Sequence, residues 1–354
     1  MTAATLTGFR ESHRELLRGN WPPGELLARP AGGLAAMAEP AVIDHAVRTG
    51  MRLYVVPGAG FIRYREIDWI HRRARVEIGL RDQAWPLALA VLRQARSAGL
   101  ESLGLSRLYG WATPAAGIPP ALLADAGFEL EATVPGAIWL AGRPVSRQIW
   151  ATLADRDRAA PAAGEPGPAQ ARPRLVRLGP AGPHLAAQGA SPGADPRQPA
   201  DPAEPDEARL VPLTPAQAAA RLRTEPGGGR GFLGLDPVTQ NDPALIAGLS
   251  ASQALVWSFG AALVGACPNP DNPRQAWVAT TRADPAALRA AAATLRAYRR
   301  TASLLAVAGT GEPAADAVRG CGFTPAGTLR RHDYRSGAYH DVDMHYLSLE
   351  QPCA

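Results

Sequence analysis

The chain has 354 residues, more than one ordinary domain requires and enough for two. Apolar residues make up 46% of it, which suffices for hydrophobic cores, and no apolar run approaches the length of a membrane span. The net charge is +5, and all the basic residues counted in it are arginines, with no lysine in the chain. Arginine binds phosphate and carboxylate groups, so partners that carry either group are compatible with this charge, but the charge alone does not identify the partner.

The first 153 residues predict one unit of mixed helices and strands. Apolar spacing changes from period 2 to the helical period near Ala84, and Gly99 is predicted to end that helix. In chain order, we predict a helix at 11–17, strands at 51–56, 61–70 and 73–80, a long helix at 84–99, a short strand at 100–105 and a short helix at 120–126.

Residues 154–207 separate this unit from a second one. They are rich in Pro, Gly and Ala and poor in large apolar residues, which is typical of a disordered linker, with one short strand possible at 174–178. Residues 208–349 then repeat the order hairpin, strand, long helix, strand, short helix and closing hairpin, and 350–354 form a tail. Thr214 and Pro215 predict a capped helix start in this second unit.

Two stretches 195 residues apart align without a gap, one from Ala126 and one from Cys321. The alignment places Gly127 on Gly322, Phe128 on Phe323, Thr133 on Thr328 and Gly142 on Gly337. Each copy is predicted to hold the end of a helix, a Gly-Phe stop, a strand, a glycine turn and a return strand. The pattern indicates internal duplication of an α/β unit.

This order of elements, with its Gly-Phe junction and closing hairpin, resembles the GNAT superfamily of acyltransferases. Residues 67–80, 208–222 and 329–349 carry the likeness. The resemblance implies two GNAT-like folds in tandem, each a twisted mixed sheet flanked by helices. It also implies transfer of an acyl group, typically acetyl, from acetyl-CoA, another acyl-CoA or a carrier-bound donor to a small-molecule or peptide amine.

The devices that serve acetyl-CoA in that family are missing from both units. The family uses a glycine loop at the start of the long helix for the diphosphate, an Asn, and a Tyr that protonates the leaving thiolate. Residues 81–90 contain no glycine, and in the second unit Arg289 matches the family's arginine but Ala292 stands where glycine is expected. The Asn positions hold Ala116 and Gly311, and the Tyr positions hold Leu123 and Val318. The resemblance therefore implies a degenerate cofactor site.

The closing hairpin of the second unit supplies polar candidates. Tyr339, His340 and Asp341 are candidate catalytic residues, since an Asp–His pair orients an imidazole as a general base. His332 and Tyr334 are candidate substrate contacts. The alternative is that a terminal strand simply presents a solvated polar face. The spacing of the histidines does not force convergence, so no metal site is predicted.

In the first unit, Glu77 is a candidate base if burial raises its pKa, or else the partner of a nearby arginine. Asp68 and Trp69 lie where relatives face the amine, although Trp69 also fits a core position. Arg72, Arg73 and Arg289 are the candidate contacts for cofactor phosphate.

Three functions remain open at this point. The first is an acyltransferase with one working cleft, the second a catalytically inactive tandem unit that binds or assembles, and the third a transferase that uses aminoacyl-tRNA. An acyl-carrier protein is a possible partner and a membrane is not. The first residues lack a basic-then-apolar pattern, which favours a cytoplasmic location.

Overall fold

The computed structural model describes residues 6–17, 21–22, 24–30, 52–155, 209–225, 231–309, 312–335 and 337–350. Apart from residues 154, 155 and 350, the predicted linker with its strand at 174–178 and the predicted tail lie outside this part of the chain. The domain boundaries at 153, 207 and 349 therefore stay predictions.

The first half, residues 6–155, contains seven strands and three α-helices within its described ranges. The strands are β1 (Thr7–Gly8), β2 (Arg52–Val56), β3 (Gly60–Asp68), β4 (Arg73–Leu80), β5 (Arg107–Ala112), β6 (Glu129–Leu140) and β7 (Arg143–Leu153). The helices are α1 (Arg14–Leu17), α2 (Ala88–Ser97) and α3 (Pro120–Asp125), with 3-10 turns at Glu11–His13, Asp82–Leu87 and Pro114–Ala116 and a π-helical turn at Ala98–Ser102.

The second half, residues 209–350, has the same mixture. Its strands are β8 (Val211–Leu213), β9 (Leu255–Phe259), β10 (Ala262–Asn269), β11 (Asn272–Thr280), β12 (Ser303–Gly309), β13 (Thr324–Arg335) and β14 (Ala338–Ser348). Its helices are α4 (Pro215–Thr224), α5 (Asp242–Ala251), α6 (Pro285–Arg299) and α7 (Pro313–Gly320). Thr214 forms the predicted cap, a capping box with Gln217. No helix in the described ranges combines the length and apolar character that a bilayer crossing needs.

All the strands belong to one 14-stranded sheet whose order repeats. The first half runs β2-β3-β4-β5-β7-β6, and the second runs β9-β10-β11-β12-β14-β13. Within each half one adjacent pair is parallel, β4 with β5 and β11 with β12, and its neighbours are antiparallel. The predicted mixed α/β class is confirmed.

The halves meet where β6 lies antiparallel to β13, through the pair Gly327 and Ala132. These two residues are separated by 195 positions, the same offset that aligns the sequence repeat. A residue that pairs with its own repeat equivalent lies on an approximate two-fold axis. The axis therefore passes through the junction of β6 and β13.

The cores follow the same two-fold plan. In the first half α2 buries Ala88, Val91 and Leu92 against strands β3 to β5, and in the second α6 packs in the same way against β9 to β12. A separate cluster of Ala132, Val134, Ala137, Ile149, Leu305, Leu329, Val342 and Met344 spans the junction. The two halves thus share a hydrophobic core as well as a sheet.

Two predicted elements differ from the structure. The helix does not end at Gly99, because α2 continues as the π-helical turn that contains this residue. A Cβ on Gly99 would lie 2.6 Å from a methyl carbon of Leu108, so glycine is required here for close packing. Residues 100–105 are consequently not a strand, and the strand after the helix begins at Arg107.

Candidate functional site

Each half contains a gap between its two parallel strands. In the first half, β4 and β5 pair only from Arg73 to Arg75 with Arg107 to Tyr109, although both strands continue. In the second half, β11 and β12 pair only from Gln275 to Val278 with Ser303 to Ala306. We call these the first gap and the second gap. Strands that part in this way leave backbone groups to be satisfied by something else.

The first gap is filled by the chain itself. The inserted segment, residues 24–28, donates from the Leu26 amide to the Trp111 carbonyl (2.6 Å) and from the Ala28 amide to the Ile78 carbonyl (2.8 Å). The Leu80 amide donates back to the Ala28 carbonyl at 2.9 Å. All five residues of the segment are buried. The first gap therefore has no room for a ligand.

Glu25 holds the inserted segment in place through contacts with Thr113 and Arg147. Its carboxylate accepts from the Thr113 amide at 2.9 Å and lies 3.0 Å from the Arg147 guanidinium. Burial raises the pKa of Glu25, and the contacts with Arg147 and Thr113 oppose that rise. A buried carboxylate satisfied on both oxygens is typical of a structural role.

The second gap is lined differently. Its walls, including Ala279, Thr280, Val307 and Gly309, open onto a cavity of about 1170 Å³ between the halves. Among the described residues, no backbone segment bridges β11 and β12 beyond their paired region. The two halves are thus alike in strand order and unlike in what occupies the gap.

All four predicted substrate contacts line this cavity. Asp68 reaches it from the end of β3 and Trp69 from the turn that follows, and His332 and Tyr334 reach it from β13 of the other half. The Trp69 side chain is 56% exposed, so it is not the core residue that the sequence also allowed. The cavity is therefore built jointly by both halves.

His71 joins these two walls and was missed in the sequence. Its Nδ1 lies 3.0 Å from the Asp333 carboxylate and 2.7 Å from the Tyr334 backbone nitrogen. The hydrogen bond with His71 lowers the pKa of Asp333. An Asp–His pair thus exists at the cavity, but between partners far apart in sequence that no local pattern connects. Nδ1 can serve only one of these partners at a time: it donates to the Asp333 carboxylate when it carries a proton and accepts from the Tyr334 amide when it does not, and in both states His71 joins the halves.

Arginines in the cavity wall are compensated by carboxylates. Arg75 contacts Glu66 at 3.0 Å and Glu77 at 3.1 Å, and Arg147 contacts Glu25 and, at 2.7 Å, Asp271. Arginine engaged in this way contributes little free positive charge. The charges of the wall therefore nearly cancel.

Glu77 has a structural environment. It is 2% exposed and contacts Arg63, Arg65 and Arg75. Burial alone raises its pKa, but Arg63, Arg75 and Arg65 outweigh burial and hold the pKa below its usual value. The condition for a base, a raised pKa, is not met, and Glu77 forms the ion pair with Arg75 that the sequence analysis gave as the alternative.

The other catalytic candidates, Tyr339, His340 and Asp341, are not among the described residues that line the cavity. Tyr339 donates from its hydroxyl to the Ser106 hydroxyl at 2.9 Å, tying β14 to the first half. Asp341 is exposed and accepts from the Arg331 amide at 2.7 Å. His340 pairs across the hairpin with Asp333. The structure does not bring these three residues into one catalytic arrangement with Glu77.

The three predicted cofactor arginines are separated. Arg72 donates to the Gly104 carbonyl at 3.0 Å, and Arg289 donates to the Gly320 carbonyl at 3.4 Å. Arg73 alone lines the cavity, where it donates to the His332 carbonyl at 2.6 Å. They do not converge on one phosphate position.

The start of α6 does not fit the diphosphate of CoA. The Asp284 carboxylate accepts from the Ala286 amide at 2.9 Å and from the Ala287 amide at 3.2 Å. These are the amides that an anion at a helix start would need. In the first half, α2 follows a 3-10 turn and its gap is filled. In the described residues, the first amides of α6 are thus bonded within the helix, and the gap beside α2 is filled by residues 24–28.

Cys267 also lines the cavity. Burial raises the pKa of its thiol to about 11. A thiol with that pKa is protonated near neutral pH and is a poor nucleophile. The chemistry of the cavity therefore depends on other groups.

A half-buried histidine, His332, and a buried one, His345, predict a pH dependence of stability. Burial, with Arg73 and Arg107, holds the pKa of His332 well below its usual value, and burial lowers the pKa of His345, which is 3% exposed. The folded protein thus binds fewer protons than the unfolded chain below about pH 6.5. We expect the free energy of unfolding to fall as the pH drops from 7.5 to 5.5, because the unfolded chain takes up protons on these histidines that the folded protein does not.

Urea unfolding at the two pH values measures this loss. The variant His345→Leu should show a smaller loss than the wild type, because neither ring nitrogen of His345 meets a partner among the described residues. Asp333 and Glu77, whose pKa values are lowered, lose their contribution only at more acidic pH. Equal losses in wild type and variant would contradict the assignment to His345.

Comparisons with known proteins give structural matches alone. No family model matches the sequence, and a search of curated proteins found no match. A chimera of the spermidine N-acetyltransferase SpeG from Vibrio cholerae and hSSAT is similar at 18% identity over 43% of this chain and 96% of that chain, with a TM-score of 0.35. SpeG from Vibrio cholerae in complex with manganese ions matches at 16% identity over 42% of this chain and 91% of that chain, also with a TM-score of 0.35. A dodecameric structure of the Vibrio cholerae enzyme in an intermediate state matches at 20% identity over 34% of this chain and 76% of that chain, with a TM-score of 0.30.

Proposed function

We propose that the protein is an acyltransferase whose working centre is the cavity between its halves. The second half supplies the second gap for the arm of an acyl thioester, and the first half supplies the wall that faces an amine acceptor. The observation that carries this proposal is the contrast between the gaps. The second gap opens onto the cavity, whereas residues 24–28 fill the first.

The reaction is transfer of an acyl group from sulfur to nitrogen. The amine nitrogen attacks the thioester carbonyl carbon, a C–N bond forms and the C–S bond breaks. The sulfur leaves as a thiol after taking up the proton that the amine loses. No step is assigned to CoA itself, because the start of α6 does not fit its diphosphate.

His332 is the group proposed to contact the acceptor nitrogen. Its lowered pKa keeps the imidazole neutral near pH 7, so a ring nitrogen can accept a hydrogen bond from the amine. Asp68, Trp69 and Tyr334 at the same cavity supply further contacts to the acceptor. This arrangement orients the amine and leaves its lone pair toward the thioester.

A binding module without turnover is the second candidate. The capping of α6 by Asp284 favours it, as does the absence of Tyr339, His340 and Asp341 from the described residues that line the cavity. It predicts saturable binding of a ligand in the cavity with no product from any acyl thioester and amine. Turnover distinguishes the two candidates.

A variant at Trp69 tests the proposed acceptor wall. We expect Trp69→Ala to raise KM for the amine about tenfold with little change in kcat, since an exposed ring at the cavity loses apolar contact with bound acceptor. The measurement is acyl transfer from acetyl-CoA and S-acetylpantetheine to a panel of amines.

Tyr298→Ala is the matched control, because Tyr298 is an aromatic residue 83% exposed on α6 and outside the cavity lining. Its KM should equal that of the wild type. Equal effects of the two variants would refute the acceptor wall, and absence of transfer with every pair would favour the binding module.

A further inference from the structure

Every backbone amide in the first turn of α6 is accounted for. Asp284 donates its own amide to the Arg282 carbonyl at 2.8 Å, and Pro285 has no amide hydrogen. The Ala286 and Ala287 amides donate to the Asp284 carboxylate. A helix start normally leaves these donors free for a cap, water or ligand. In this helix the side chain of Asp284 takes them.

The charge of Asp284 adds to this occupancy. A helix start attracts anions because of its partial positive charge, and a carboxylate fixed there neutralises that attraction and repels a second anion. The same turn is crowded from the side, since a Cβ on Gly320 at the end of α7 would lie 2.7 Å from the Pro285 ring. A diphosphate thus meets occupied amides and a fixed negative charge.

We propose that Asp284 determines donor specificity by excluding a nucleotide diphosphate from the start of α6. The donor of the second gap is then an acyl thioester on an uncharged pantetheine-type arm, with no diphosphate bound at this helix. This inference rests on the proposed function. It identifies the chemical class of donor that the second half accepts.

Two variants separate charge from occupancy. Asp284→Asn removes the charge and keeps an oxygen that caps the amides, and Asp284→Gly removes both at a small cost to the helix. Titration calorimetry with CoA and with pantetheine measures the dissociation constant of each probe for the wild-type protein and both variants. Thermal unfolding of each variant checks that the fold is retained.

We expect wild-type protein to bind pantetheine at least as tightly as CoA. The affinity for CoA should rise in Asp284→Asn and rise further, about tenfold over wild type, in Asp284→Gly, whereas the affinity for pantetheine stays unchanged. Preference of the wild type for CoA over pantetheine, with no gain in either variant, would overturn this inference and leave the proposed acyl transfer intact. Absence of binding of both probes to all three proteins would overturn the inference together with the proposed function.

Discussion

Glu131→Ala should lower the free energy of unfolding by about 3–5 kcal/mol, because it leaves a buried guanidinium without its carboxylate. Arg107 is 0% exposed, and its Nη1 lies 2.8 Å from one oxygen of Glu131. The Glu131 side chain is 1% exposed and also contacts Arg330 of β13 at 3.1 Å. One carboxylate thus compensates two arginines from different halves of the molecule.

Glu129→Ala is the matched control for this loss. Glu129 lies on the same strand two residues earlier and contacts Arg330 at 2.6 Å, but its side chain is 50% exposed. An exposed ion pair contributes about 1 kcal/mol or less. Urea unfolding of both variants at neutral pH gives the comparison. Similar decreases in the free energy of unfolding for the two variants would mean that the burial of Arg107 does not determine the strength of its ion pair with Glu131.

The repeat could be detected in the sequence because glycines occupy equivalent positions where the backbone has a positive φ angle. Gly127 and Gly322, which the alignment superposes, have φ angles of 86° and 88°, and Gly142 and Gly337 have φ angles of 77° and 84°. Few other residues adopt such angles without strain, so equivalent turns keep equivalent glycines. The strand order of the two halves agrees with that pattern.

The elements that sequence misplaced depend on tertiary packing. Gly99 looks like a helix end, yet its role is to let the π-helical turn approach Leu108. Local pattern cannot separate a glycine that ends a helix from one that permits close contact. The strand predicted at 100–105 was displaced to β5 for the same reason.

The cavity could be predicted only in part. Asp68 and Trp69 were identified from the family resemblance, His332 and Tyr334 from the polar closing hairpin, and all four line the cavity. The contact of His71 with Asp333, and the filling of the first gap by residues 24–28, join segments with no shared local pattern. The first pairing crosses between the halves and the second lies within one half, but both join positions far apart in the chain, which local sequence patterns do not connect.

Gly327→Ala should destabilise the protein by about 3 kcal/mol or more, since a Cβ forces the backbones of the two halves apart. That Cβ would lie 2.1 Å from the Glu131 carbonyl oxygen and 2.5 Å from the Ala132 Cα. In the described residues, the pair of Gly327 with Ala132 is the ladder contact between β6 and β13. A substitution on the two-fold axis therefore disturbs the junction itself.

The control is Gly337→Ala in the following turn. Gly337 also has a positive φ, 84°, but no atom lies within 4 Å of an added Cβ. Its substitution should cost about 1 kcal/mol from backbone strain alone. Urea unfolding followed by far-UV circular dichroism measures the stability of both variants. A single steep transition in the wild type and two transitions in Gly327→Ala would show that the substitution uncouples the unfolding of the two halves. If Gly337→Ala lowers the free energy of unfolding as much as Gly327→Ala does, the close approach of the backbones at the axis does not join the halves. The hydrophobic cluster shared by β6, β7, β12 and β14 would then couple them.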